Sequence, residues 1–558
     1  MLDLMQRLDR LYGEMTTARQ SYYEHWKELS EFIQPRNGVF DEARLSDPGK
    51  KKHGSIINNT ATRALATARS GLLAGASSPA RPWFKFQASN PAVRESQAVQ
   101  EWIHSTEKLI LDILHASNFY VSAGKVFEQA LIFATGGMLQ VDDFEDVTRF
   151  HPQPIGTFCI RQNTRGDVDT FARELEYTVE ELVEKFGLEN CTDSVKNSYE
   201  TKSYARRVKV RHIILPNTAP QFKKGFSRKL PFRGVYYEPA SNPTGKFLED
   251  KGFHEFPFMN LRWDVEGEED YGVLSPGMAA LGDVKQLQTM AKRKAQAIDK
   301  MVSPPLVGPA NVRGNRISVL PSAANLFDGF DSKSGLRPIY QVNAPLRELK
   351  EDEENTERRI EYAFYTHLFR AISSMEGIQP RNQLDLSQRN QERLLELGPV
   401  LQNVNQHFLP SVIDRVFNQA MRADILPEAP PELEGQALDI EFISPLAMAQ
   451  RAVAAEGIER VAGFVGSLAS TGMEGALAKF DADKAVEEFA NIIGVDPRLI
   501  VPDEVVQQQR EAQAQQQQQA QQMEMADKMA NTAQTMSATP TNGDTALKAV
   551  SDAAADYA

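Results

Sequence analysis

Apolar positions along the first part of the chain recur at helical spacing. Tyr22, Tyr23, Trp26, Leu29, Phe32 and Ile33 fall on one face of a helix over 16–34, which Pro35 ends. Val99, Trp102, Ile103, Leu109, Ile110, Ile113 and Leu114 predict a second helix over 95–116. A third covers about 119–135 and stops at Gly136-Gly137. The period then shortens. MLQV, TFCIRQ, VDTFARELEYT, VKVRHIIL, FRGVYYE and HEFPFMNLRWD are β-leaning runs divided by Pro, Gly and Asn. Residues 1–274 therefore read as an α+β body.

A denser stretch lies inside that body, RSGLLAGASSPARPWFKF at 69–86. Small residues let a helix approach a neighbouring backbone closely. Pro79 and Pro82 then remove N–H donors and push the residues before them toward extended structure. Trp83, Phe84 and Phe86 bring large buried areas to that extended piece. By itself the stretch predicts a helix-to-strand corner in a core.

The pattern beyond residue 274 is different. Ser275-Pro276 is a helix start, a capping side chain followed by proline in the first turn. The helix runs 275–302, with Met278, Leu281, Val284, Leu287, Met290, Ile298 and Met301 along one side. At ~1.5 Å per residue it is on the order of 40 Å long. Lys292, Arg293, Lys294 and Lys300 sit in its second half, where cations suit the negative end of the dipole. SPPLVGP at 303–309 breaks it, and a Gly/Pro-punctuated segment with strand-like RISVL and RPIYQV follows. A second long helix covers 346–372, with Glu348, Glu351, Asp352, Glu353 and Glu354 early and Arg358, Arg359 and Arg370 late. The polar segment 373–390 leads into a third helical run to about 424, bent at Gly398-Pro399 and Pro410. An alanine-rich region at 445–495 reads as short helices. Residues 503–536 are rich in glutamine and too polar for a solitary packed helix, which leaves a disordered tail or a helix stabilised by identical neighbours.

Composition narrows the function. The chain has 558 residues, 41% hydrophobic and 25% charged, which allows a substantial core and predicts three or four domain-sized units. No run approaches the ~20 apolar residues needed to cross a bilayer, and the charged N-terminus lacks a signal-peptide centre, so a soluble cytosolic chain is expected. Two cysteines outside any CxxC pair exclude a disulfide framework and a zinc ribbon. The net charge of −13 argues against a protein that grips nucleic acid by neutralising phosphates. It is compatible with a role that involves no nucleic acid, or with a surface past which DNA slides without sticking.

Catalytic patterns are missing. Gly245-Lys246 and Gly49-Lys50 both fail the phosphate-loop spacing. The histidines form no HExxH, and His104 and His115 read as exposed helix positions. Ser275 misses the nucleophile elbow by one position. The acidic run at 142–146 reads as a solvated turn before a cation site. No enzyme, cofactor or metal is expected.

Several stretches, taken in order, resemble one family: the head-to-tail connector, or portal, proteins of short-tailed bacteriophages. LLAGASSPARPWFKF is similar to that family's early signature, and NLRWDVEGEEDYGVLSPGMAALGDVKQL (260–287) to its second. SPPLVGP, ERLLELGPVLQ (392–402), FLPSVIDRVF (408–417) and ISPLAMAQRA (443–452) follow in the family's order. The resemblance spans essentially residues 1–510. One departure is NQLDLSQRNQ (382–391), where the family carries a TATEV-like turn. The resemblance implies an α+β, mostly α, portal fold assembled as a dodecameric ring. Residues 1–274 would be the wing, 275–302 and 346–372 the stem helices, 303–345 the clip and 373–390 the tunnel loop. Residues 391–444 would be a long kinked wing helix, 445–502 the crown, 503–536 a helix in a possible barrel and 537–558 a disordered tail.

The same resemblance implies a place in the virion, at one capsid vertex, with assembly in the host cytoplasm. The implied partners are further copies of the chain, double-stranded DNA, the terminase packaging motor, major capsid and scaffolding proteins, and tail adaptors, with no membrane. Candidate DNA-facing loop residues are Glu376, Gln379, Arg381, Asn382, Gln383 and Arg389. Candidate channel charges are Lys292, Arg293, Lys294, Lys300, Glu351 and Glu354. An ATP-driven packaging enzyme is the rival that the missing phosphate loop opposes. Another structural virion protein, a tail adaptor or internal core protein, is the alternative.

Overall fold

The computed structural model describes residues 2–40, 55–94, 96–143, 145–217, 230–239, 246–302, 306–307, 337–338, 345–374, 402–433, 435–436 and 438–443, together with 461–468 and scattered positions between 458 and 528. The chain divides into two compact units, Met1–Gln450 and Arg451–Ala558, where length suggested three or four. In the second unit the described helical turns at 461–468 leave Val461 and Phe464 exposed.

The first unit opens with α1 (Leu2–Phe32) and α2 (Thr60–Ala76), then strand β1 (Phe84–Ala88) and helices α3 (Gln97–Ala116) and α4 (Phe119–Phe133). Strands β2 (Thr135–Asp143), β3 (Val147–Gln153), β4 (Phe158–Gln162) and β5 (Val168–Thr178) follow. Then come α5 (Val179–Phe186), α6 (Asp193–Glu200), β6 (Arg207–Pro216), β7 (Phe232–Tyr237), β8 (Glu249–Phe253) and β9 (Phe258–Arg262). The body is thus mixed helix and sheet, with every described strand pair antiparallel.

A three-stranded sheet has the order β3-β2-β9 and a five-stranded sheet the order β4-β5-β6-β7-β8. The larger sheet buries Cys159, Ala172, Ile213, Val235 and Tyr237 against Met5, Leu8 and Met15 of α1. That is why α1 begins near residue 2, earlier than its aromatic stripe alone predicts. The main core gathers α2, α4, β2 and β9 around Trp83, Phe84, Phe119, Phe127 and Phe133.

The helix at 119–133 stops before its glycines. Ala134 takes the left-handed conformation, φ 58°, and β2 starts at Thr135. Gly136 and Gly137 lie inside the strand because it runs against its neighbours. A Cβ on Gly136 would sit 2.4 Å from the Val126 carbonyl oxygen, and one on Gly137 2.2 Å from the Phe258 ring. Glu128 of α4 is buried, and its carboxylate accepts from Arg69 Nη1 at 2.8 Å, Lys125 Nζ at 3.0 Å and Asn37 Nδ2 at 3.1 Å. One buried acid therefore ties α2 and the end of the first helical region to α4, paired and hydrogen-bonded as burial of a charge requires.

The aromatic corner at 69–86 is core. Trp83 is fully buried, stacks with Phe119 and Phe442 and meets Phe84 edge-on at 4.9 Å. β1 pairs with β12 (Leu438–Phe442), register Phe84↔Phe442, and the Ile443 N–H donates to the Trp83 carbonyl.

Beyond the body run α7 (Pro276–Val302), the two-residue ladder of β10 (Leu306–Val307) and β11 (Arg337–Pro338), α8 (Leu346–Ala363) and α9 (Thr366–Ser374). The run expected as one helix over 346–372 is two. Tyr365 is left-handed at φ 55°, and the break turns α9 so that Phe369 packs onto Gly71 of α2. Phe364, Leu368 and Phe369 are all buried.

The run expected as a helix over 391–444 also ends early. A wide helical turn at Val404–Phe408 precedes α10 (Leu409–Arg422), and the Leu409 N–H reaches the Val404 carbonyl. Pro410 supplies no donor for the turn before it, so the turn widens there. Asp424 is left-handed at φ 57°, and the proline-rich ILPEAPPELEG leads to β12 instead of more helix. Most of 303–345, 375–401, and the expected crown, glutamine-rich helix and tail lie outside the described residues.

Candidate interface: the paired long helices

The α7 helix is built from both ends of its sequence signal. Ser275 is buried. Its hydroxyl accepts from the Met278 N–H at 3.1 Å and donates to the Ile132 carbonyl at 2.7 Å, so the cap also fixes the helix to α4. Pro276, Gly277, Ala280, Leu281, Val284 and Leu287 bury the first half. From Thr289 onward no residue is buried.

Gln288 marks the boundary. Its side-chain oxygen accepts from the backbone N–H groups of Ile57 at 2.7 Å and Asn58 at 2.8 Å, and its amide donates to the Asn58 carbonyl at 2.7 Å. The Asn58 side chain in turn donates to Glu357 of α8 at 2.7 Å. Lys285 pairs with Glu28 of α1. The base of the long helices is therefore held by α1, the 55–59 segment and α4, none adjacent in sequence.

α8 lies against α7, with Thr356 and Ile360 buried, Phe364 buried just past its end, and everything from Leu346 to Asn355 exposed or half-buried. Two ion pairs cross between the helices. Arg359 Nε donates to Asp283 Oδ1 at 3.1 Å, and Lys294 pairs with Glu353. The free ends keep apolar side chains in solvent: Ile298, Met301, Val302 and Leu346 are all exposed, Val302 at 80%.

The predicted channel charges are all placed. Lys292, Arg293, Lys300, Glu351 and Glu354 are exposed; Lys294 is half-buried and engaged with Glu353; Glu354 pairs with Lys350 one turn back at 3.5 Å. The candidate loop residues Glu376, Gln379, Arg381, Asn382, Gln383 and Arg389 lie outside the described residues. Sequence reasoning missed Asn58, Asp283, Gln288 and Arg359. Only Asp283 and Arg359 carry a usable signal, opposite charges on two helices that later pack together.

Other candidates are absorbed by structure. Asp143 of the acidic run accepts from the N–H groups of Glu145 and Asp146 at 2.8 and 3.2 Å, which holds its carboxyl below the usual range. Asp142 faces the fully buried Arg415 of α10 at 3.8 Å and also takes a hydrogen bond from Gln419. Both cysteines are free, buried thiols; burial raises Cys159 and pushes Cys191 up to about 11. Among the described residues no group of acids, histidines and cysteines could hold a metal ion, and no helix is long and apolar enough to cross a membrane.

A model of the family described as bacteriophage head to tail connecting protein matches residues 5–501, and the chain belongs to that family. Two relatives extend over almost the whole length. The chain is 37% identical over 549 residues to the portal protein of Salmonella phage epsilon15, covering 98% of each chain. It is 36% identical over 547 residues to the probable portal protein of Bordetella phage BPP-1, again covering 98% of each. Among solved structures, a chain of the virion of a native gene transfer agent particle aligns at 12% identity and a TM-score of 0.34, covering 73% of this chain and 86% of that one.

Proposed function

We propose that this protein is a portal subunit, a structural and non-enzymatic virion component that forms a ring at one capsid vertex. DNA passes through the ring during packaging and ejection. Kinship with two phage portal proteins over nearly the full length supports the reading. The observation that carries it physically is the α7–α8 pair, seated on the body at one end and, among the described residues, exposed at the other. A helix pair with exposed apolar side chains at its free end needs partners, and a closed ring supplies them through heterologous contacts, each copy offering two different faces.

In this reading residues 1–274 are the wing, α7 and the helical run 346–372 the stem, and 303–345 the clip that meets the terminase motor and then the tail adaptors. Residues 373–390 are the tunnel loop, 445–502 the crown and 503–536 a short barrel helix. The ring is dodecameric, sits among major capsid and scaffolding proteins, and assembles in the host cytoplasm. Exposed Lys292, Arg293, Lys300, Glu351 and Glu354 face the channel or the neighbouring copy.

In the loop, Arg381 and Arg389 are offset by Glu376 and Asp385. Near-neutral loops restrain a duplex without the salt-dependent grip that would brake a strand moving both ways. Electron microscopy of the purified full-length protein tests the assignment, with the expected image a ring with a wide wing, a narrow stem and an axial channel. Particles without a central channel, or a persistent monomer at micromolar concentration in physiological salt, overturn it. Replacing 376–383 with a Gly/Ser linker should leave rings intact and lower the genome retained per head. Heads that fill and hold DNA normally would remove the loop from the mechanism.

A further inference from the structure

The free halves of α7 and α8 carry opposite charge on separate faces. On α7, Thr289, Lys292, Arg293, Gln296 and Lys300 recur at the spacing that lines one helix face, and Asp299 on its flank is the one acid between 289 and 302. On α8, Glu348, Glu351, Asp352 and Asn355 recur at the same spacing with no cation among them. All the charged members of both stripes are exposed. Among the described residues none of them is in an ion pair, because the single pair crossing the free ends uses Lys294 and Glu353. Like charges three and four residues apart destabilise an isolated helix. Glu348 meets Glu351 and Asp352 at those spacings on α8, whereas the α7 stripe gathers its cations at adjacent Lys292 and Arg293 and at Lys300 two turns on.

We propose that the basic stripe of α7 in one copy docks on the acidic stripe of α8 in the next copy. The occupant is a second copy of this chain because the complementary stripe is present at the same level of the same helix pair. Repetition around a closed ring then satisfies every stripe at once. The exposed Ile298, Met301, Val302 and Leu346 at the same free end supply apolar cover to the contact. This inference rests on the ring reading above and adds which surfaces touch.

The test uses three full-length variants and light scattering or mass photometry over a range of protein concentration and salt. One variant carries Glu348→Lys, Glu351→Lys and Asp352→Lys. A second carries Lys292→Glu, Arg293→Glu and Lys300→Glu, and the third carries all six changes. Each single-stripe variant is expected to need about tenfold or more protein to half-assemble at low salt, since several exposed charge contacts turn repulsive together. Raising the salt narrows that gap. An equimolar mixture of the two single-stripe variants should restore rings, because alternating copies again place opposite charges against each other, and the six-change variant should assemble alone. Single-stripe variants that assemble like the native chain overturn the contact while leaving the ring reading standing. Rescue by the six-change variant without rescue by the mixture overturns it too, because the stripes then act within one chain. A native chain that stays monomeric overturns the ring and this contact together.

Discussion

Gly71→Ala tests how the helix leading to 375 is anchored, because two effects of opposite sign compete there. Gly71 lies inside α2, and alanine in a helix interior is favoured over glycine by about 1 kcal/mol. The added Cβ, however, would sit 2.2 Å from Phe369 Cγ and 2.4 Å from its Cβ and Cδ1. Rotation about the side-chain bonds moves Cγ and Cδ1 but leaves Cβ where it is, so the 2.4 Å overlap with Cβ remains, and Phe369 is itself 3% exposed. Ordinary carbon contacts lie at about 3.5–4.0 Å, so α9 must move away from α2 by more than 1 Å. Overpacking a core costs about 1–3 kcal/mol, and an overlap this deep belongs at the upper end. The steric effect wins, with a net loss of about 2 kcal/mol. Gly282 is the control: it is exposed on α7 with nothing within 4 Å, so Gly282→Ala keeps only the helix term and raises stability by up to about 1 kcal/mol. Urea melts followed by far-ultraviolet circular dichroism measure both, and Phe369→Leu added to Gly71→Ala should recover part of the loss. A Gly71→Ala chain as stable as the native one would refute the packing argument.

Burial pushes the Glu107 carboxyl up to about 7 from its ordinary 4.5, against the lowering effects of the Phe86 N–H that it accepts at 2.7 Å and of Lys85. The folded state therefore holds a proton that the unfolded chain releases between those values, and stability falls as pH rises through that window. Glu107→Gln should gain urea resistance over the native chain at pH 8 and gain little at pH 4.5; an equal gap at both would dismiss the charge. Trp83→Ala should cost about 3–5 kcal/mol and impair folding of the single chain rather than ring contacts, because the ring is wholly internal. Retained Trp83→Ala stability with lost assembly would reverse that assignment. A chain truncated after Pro502 should still assemble by light scattering, since 503–536 lacks the apolar content to drive folding; monomers alone would place the stabilising contacts at the C-terminus.

Local chemistry made some elements legible and geometry hid others. The start of α7 could be read because Ser275 and Pro276 are a cap and a first-turn proline, which act within a few residues. The strands β2, β4, β5, β6, β7 and β9 were legible from β-branched and aromatic runs. β1 was legible as the extended piece after Pro79 and Pro82, but β12 was not, because it is completed by a strand far away in sequence and has no alternating partner nearby. β8, with Glu249, Asp250, Lys251 and Gly252, has the composition of a turn and is a strand only because β7 pairs with it. The break at Phe364-Tyr365 left no trace: no glycine marks the left-handed residue, and the demand comes from Gly71 across the core. At the interface, the charges could be read but not their partners, since whether Lys294 is free or paired depends on the register of two helices.

The helix pair divides into a seated base and a free end, and the two should respond differently to mutation. Gln288→Ala removes the acceptor of two backbone N–H groups and the donor to one carbonyl at the base. Each buried polar group left unsatisfied costs about 1–3 kcal/mol, but Ile57 is 54% exposed and water can replace part of what is lost, so about 2 kcal/mol in all is expected. That loss falls on the single chain: it should appear in urea melts, and it should loosen α7 from the 55–59 segment in hydrogen exchange at Ile57 and Asn58. Charge reversal at Lys292, Arg293 and Lys300 touches nothing at the base, so beyond a helix-dipole cost of up to about 1 kcal/mol at Lys300 it should leave the melt of the dissociated chain unchanged while weakening assembly. A free end that moved as one piece with the base would tie the two readouts together. If Gln288→Ala lowered assembly tenfold with an unchanged melt, or the stripe reversal unfolded the chain, the division at Gln288 would be wrong and the free end would have contacts inside the subunit.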